Sequence, residues 1–248
     1  MRLLAIALSG LLLSKGCQGN TRDEPIERPD DQTAAAAEHT MNGPMVEDLH
    51  MRLTGLRPRA PGDSARADSI LRVMRRELAR YRDVRAAETD GFRQFIAGAA
   101  APVQHYTKLR WWIEARRGLD PSRPSSLLYQ KGADGRLELV GAMFTAPPGT
   151  TEDELNARLP LSVTRWHQHV NWCTPRLGPR MRERWRETKD GQPVFGPRSP
   201  IATKEACDAV DGRFRPRLLG WMVHVMAFAG DDPTVIWGAG QAHSEHMH

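Results

Sequence analysis

A chain of 248 residues with 40% hydrophobic content is long enough to bury its own core, so its fold need not lean on disulfides or a structural metal. The formal charge of +5 is small for that length, and the 35 basic residues fall to 33 against 30 acidic ones once a leader carrying Arg2 and Lys15 is set aside. That balance excludes a strongly polybasic binder of nucleic acid.

The first residues have the anatomy of a signal peptide: Arg2, an apolar run from Leu3 to Leu8, then Ser9-Gly10-Leu11-Leu12-Leu13. The run is too short to span a bilayer, for which about 20 apolar residues are needed. Gly16-Cys17 after the leucines resembles the bacterial lipobox. The resemblance implies cleavage after residue 16, acylation of Cys17 and a membrane contact through lipid, in the periplasm or at the cell surface. Residues 17–62 are rich in Pro, Asp, Glu and Ala without a sustained apolar period, and are expected to be a disordered tether.

Asp63-Ser64 is positioned to cap a helix bearing Ile70, Val73, Met74, Leu78, Tyr81 and Val84 at three- and four-residue steps, which predicts one long helix to about Ala87. Its arginines, Arg66, Arg72, Arg75, Arg76, Arg80, Arg82 and Arg85, are interleaved with Asp68, Glu77, Asp83 and Glu88. Such mixing reads as a solvated face rather than a phosphate-binding one. Glu88 follows Tyr81 by seven residues and continues the apolar stripe, making it a candidate buried carboxylate.

After Gly91, a Gly- and Ala-rich stretch leads into a loop holding Gln104-His105-Tyr106, and a short helix is expected around Trp111 to Arg116 before Asp120-Pro121. Ser126 to Gln130 and Leu137 to Thr145 read as strands joined through Asp134-Gly135, a strong hairpin signal. Thr151-Glu152-Asp153-Glu154 suits a helix start, running to Leu159. Val163 to Cys173 and Leu218 to Phe228 are further strands, separated by an Arg-, Pro- and Gly-rich loop over 175–200 and a short helix over Ile201 to Val210. The sum is an α+β fold: an antiparallel sheet packed by a long N-terminal helix and short helices, in a single domain over 63–240, followed by a His-rich tail at 241–248.

Chemistry concentrates on two strands. Side chains alternate faces along a strand, so His167, His169, Asn171 and Cys173 are expected on one face and Trp166, Gln168, Val170 and Trp172 on the other. On the second strand Met222, His224, Met226 and Phe228 share a face, opposed by Trp221, Val223, Val225 and Ala227. Three imidazoles from neighbouring strands make a first shell for copper or zinc, and the thioethers tilt the choice toward copper. His105 is a further ligand if its loop folds over the sheet. Cys173 and Cys207 form an even pair in an oxidising compartment and are expected to be disulfide-bonded, with ligation by Cys173 as the alternative.

The pattern His105-Tyr106, Leu127-Leu128-Tyr129, Leu139-Val140-Gly141, Trp166-His167-Gln168-His169, Cys173 and Gly220-Trp221-Met222-Val223-His224-Val225 resembles an uncharacterised family of secreted bacterial proteins over roughly residues 80–238. That resemblance implies one exported domain and supplies no reaction. Three functions follow as expectations: an exported lipoprotein that binds a transition metal, a metal-dependent periplasmic enzyme using Glu88 or Glu114 as acid or base, and a non-catalytic envelope protein whose histidines serve the fold.

Overall fold

The Asp134-Gly135 turn closes a hairpin at the middle of the sheet. Gly135 takes φ +81°, the left-handed region that glycine enters at little cost, and Gly132 N donates to Arg136 O at 2.8 Å. Arg136 N donates to the Asp134 carboxylate at 2.9 Å.

The computed structural model describes residues 30–40, 45–95 and 102–238; the leader, Cys17 and the tail at 241–248 lie outside them. In chain order the described strands are β1 (Met51–Leu53), β2 (Arg93–Gln94), β3 (Val103–Thr107), β4 (Ser126–Lys131), β5 (Leu137–Ala146), β6 (His167–Pro175), β7 (Thr188–Lys189), β8 (Gln192–Pro193) and β9 (Gly212–Val225). The helices are α1 (Asp31–Thr40), α2 (Asp63–Leu78), α3 (Val84–Thr89), α4 (Leu109–Glu114), α5 (Glu152–Arg158), α6 (Met181–Arg184), α7 (Lys204–Asp208) and α8 (Pro233–Trp237). Seven strands form one sheet in the order β1-β6-β9-β5-β4-β3-β2, every neighbouring pair antiparallel, and β7 and β8 form a separate small hairpin. The architecture is α+β.

Alternation along the strands sorts two cores. Leu127, Tyr129, Phe144, Val223 and Val225 pack against Ala67, Ile70, Met74 and Leu78 of α2, with Leu155 of α5 and Ile236 of α8. Leu128, Met143, Leu218 and Met222 point to the opposite face, covered by Ala37 of α1, Trp172 and the partly buried Trp112 of α4. Leu127 and Leu128, adjacent in sequence and both fully buried, thus serve different cores.

Three expectations need correction. The long helix ends at Leu78, continues as one 3-10 turn over Ala79–Arg82, and stops. Asp83 is extended there (φ −86°, ψ 111°), and its carboxylate accepts from Arg85 N to start α3, a local competition that the apolar period does not register. Asp63 does not cap α2 with its side chain; its carboxylate accepts from Ala60 N and from the Ser162 hydroxyl.

The tether boundary at 62 also moves. Asp30 accepts from Thr33 N at 3.0 Å to begin α1, whose Ala34 and Ala37 are buried; small side chains let the helix lie close. Met51 and Leu53 are buried around exposed Arg52, and their strand pairs with His167–His169. Three residues are too few to display a period in sequence.

Cys173, at the end of β6, and Cys207, on α7, are joined by a disulfide with Cα atoms 5.5 Å apart. It is buried beside Val194 and Phe195. A Cβ on Gly212 would stand 2.4 Å from Cys173 Sγ, so β9 begins with the one residue that fits against the bridge. Among the described residues no helix is long and apolar enough to cross a membrane.

Candidate metal centre

Four histidines meet on the face opposite α2. His105 lies on β3, not in a loop, with its pair Leu128 on β4. His167 and His169 come from β6, and His224 from β9, where it pairs with Met143 of β5. The ring centroids run in series: His105 to His224 at 5.3 Å, His224 to His167 at 5.2 Å, and His167 to His169 at 5.9 Å. At the first step the rings are tilted at 48° to each other, with Nε2 to Nε2 at 3.4 Å.

That contact spans two intervening strands. In a flat sheet β3 and β9 would be about 14 Å apart, and side chains standing off the sheet would not meet; a sheet curled toward this face brings them together. Local backbone irregularity does the rest. His167 pairs with Met222 but His169 pairs with Leu218, so β9 spends extra residues between them, with Leu219 at φ 69° and Gly220 at φ 103°. A side chain on Gly220 would put Cβ 2.5 Å from Ala146 O. This bulge re-aims the strand beside the histidines, a familiar use of such irregularities.

Strict alternation fails at Asn171, which takes φ 57°. Trp172 therefore turns to the histidine face, its ring 5.3 Å from His169, whereas alternation assigned it to the other side. Cys173 leaves the histidine face for the disulfide and is no ligand. On β9 Met222 stands on the histidine side and Trp221, Val223 and Val225 on the helix side, as expected. The strand ends at Val225, and beyond it Met226 keeps to the histidine side while Phe228, expected beside it, packs with the helix-side core because alternation no longer holds outside the strand.

His105, His167 and His169 are almost wholly buried, while His224 keeps a partly accessible edge. Burial, reinforced by neighbouring imidazoles, holds His167 well below the ordinary value of 6.5, brings His169 down to about 4 and His224 to about 3. All three are neutral at pH 7, each with one ring nitrogen bearing a lone pair. Yet Nε2 of His167 and both ring nitrogens of His169 have no hydrogen-bond partner. Leaving such groups unpaired costs about 1–3 kcal/mol each. His50, equally buried, settles its Nε2 on Ser199 O at 2.6 Å and leaves only Nδ1 without a partner, as His167 leaves only Nε2; His169 alone leaves both.

Glu88 is exposed on α3, beyond the core on the opposite face, because α3 turns at Asp83 and breaks the stripe that would have buried it. Glu114 is tied to Arg110 at 2.8 Å and Arg123 at 3.5 Å, and its bond to Arg110 is the chief cause of its lowered pKa. Met143 is the residue that sequence reasoning passed over; alternation along β5 places Gly141, Met143 and Thr145 on one face, and that signal was there to be used.

Among the described residues, no three His, Cys, Asp or Glu side chains are grouped so as to hold one ion. What the arrangement does offer is a pair of imidazole nitrogens, two further buried histidines, and methionines at the rim. No protein-family model, curated protein or solved structure matches the chain.

Proposed function

We propose that this is an exported lipoprotein, anchored through Cys17, that binds a transition metal, copper ahead of zinc, on the face formed by His105, His167, His169 and His224. One observation carries the reading: the 3.4 Å between Nε2 of His105 and of His224. For metal–nitrogen bonds of about 2.0–2.1 Å, the edge of a coordination tetrahedron is about 3.3 Å, so a contact that is a long hydrogen bond between the two rings is also the spacing at which both nitrogens can face one ion. The unpartnered nitrogens of His167 and His169 add to it, since a buried polar face retained at a cost in stability suits a ligand better than packing. The disulfide between Cys173 and Cys207 fits an oxidising, extracytoplasmic setting. Binding is favoured over turnover because Glu88 is exposed on the opposite side of the sheet and Glu114 is engaged by Arg110 and Arg123.

Metal analysis of the untagged protein tests this, in a background with His243, His246 and His248 replaced by alanine so that the tail contributes nothing. Stoichiometric metal in that protein, lost in the His105→Ala/His224→Ala variant, is the expected result. Absence of metal after separate reconstitution with copper under reducing conditions and with zinc would overturn it. The rival is an envelope protein whose histidines serve the fold. It draws on the lack of any grouped set of three His, Cys, Asp or Glu ligands among the described residues, and predicts that second result.

A further inference from the structure

The two-nitrogen edge of His105 and His224 needs further donors, and side chains other than His, Cys, Asp and Glu stand beside it. A small, mostly apolar cavity of about 20 Å³ is lined by His105, Met143 and Met222; the Thr107 and Ser126 hydroxyls beside it bond to each other, and His224 lies next to it through its contact with His105. That is room for about one water-sized atom. Cross-strand pairing explains the convergence: Met143 sits directly opposite His224, and Met222 directly opposite His167 and Thr145. Two thioethers and the His105 imidazole thereby line one cavity, and the His224 imidazole stands beside it, from β3, β5 and β9.

Charge narrows the ion. Among the described residues Asp63 is the only buried acid, and its carboxylate is occupied by Ala60 N and the Ser162 hydroxyl. Imidazole and thioether are both neutral, so nothing in the cluster offsets the charge of an ion taken into it. The cost of burying an ion rises with the square of its charge, about fourfold from a monovalent to a divalent ion. Soft thioethers select copper(I) on independent grounds.

We infer that the ion is copper(I), held by Nε2 of His105 and His224 together with the sulfurs of Met143 and Met222. His167 and His169 flank the site without being required for it. The inference rests on the metal-binding reading and specifies its ion and ligands.

The test is anaerobic competition for copper(I) against a chromogenic chelator, joined to X-ray absorption at the copper edge. It uses the full chain carrying His243→Ala, His246→Ala, Met247→Ala and His248→Ala. Stoichiometric copper(I) with both nitrogen and sulfur scatterers is expected. The Met143→Leu/Met222→Leu variant should bind copper(I) about tenfold or more weakly, with its zinc uptake unchanged. Should the double variant fail to fold, the scatterers in the parent decide by themselves. Copper(I) bound through nitrogen alone, or zinc bound where copper(I) is not, would overturn this ligand set and leave the metal-binding reading standing. No metal of either kind would remove both.

Discussion

The two faces of the sheet are buried to a similar degree by opposite means. Toward α2, Leu127, Phe144, Val223 and Val225 interlock with helix side chains, and the hydroxyl of Tyr129 finds Tyr81 O at 2.6 Å. Toward α1, strands β3, β5, β6 and β9 bury His105, His167 and His169, with Met143 and Met222 as their apolar company. The first face is what hydrophobic burial selects. The second spends stability on desolvated imidazoles, a cost that the proposed metal site would explain. One strand pair, β5 and β9, shows both at once through nothing more than the alternation of side chains.

The largest way to break the comparison is acid. His167 and His169 have folded-state pKa values below the ordinary 6.5 because of burial. The unfolded chain therefore takes up protons that the native state refuses, and stability falls as pH drops below about 6.5. Above that value these groups contribute no pH dependence. Each such histidine steepens that fall by up to about 1.4 kcal/mol per pH unit until it is itself protonated in the native state. Denaturant midpoints measured from pH 8 to 5 check this, and a flat profile would show that the face is not buried and neutral.

Next in size is Leu127→Ala on the helix face. It should cost about 3 kcal/mol, within the usual 2–5 for emptying a packed leucine site, without altering metal content. Chemical denaturation and metal analysis on the same sample read both quantities. Against it stands His169→Leu, which removes two unpartnered ring nitrogens in favour of a side chain of similar size. A gain of about 1 kcal/mol in the metal-free protein is expected, with a shallower acid slope; a loss would mean that His169 has a structural partner. Of comparable or smaller size is Met222→Leu, a volume-conserving exchange that should cost less than about 1.5 kcal/mol. A larger loss in thermal melting would show that this methionine is a packing residue before it is a donor.

Read alone, the chain determined the α+β class, the β4–β5 hairpin, the capped α5, the disulfide pair, and the sides on which β9 divides Met222 and His224 from Trp221 and Val223. These are local properties. Side-chain period, turn chemistry and capping boxes act over a few residues and are written where they act. The tertiary structure decided the rest. It ended α2 at Leu78, drew Met51–Leu53 onto the sheet edge, placed His105 on a strand, turned Trp172 to the histidine face through Asn171, and set Glu88 in solvent. It also brought His105 across two strands to His224 and aimed Met143 at the same point. Those outcomes hang on sheet order, curl and bulges, which arise from pairings between residues far apart in the chain, so no window of sequence holds them.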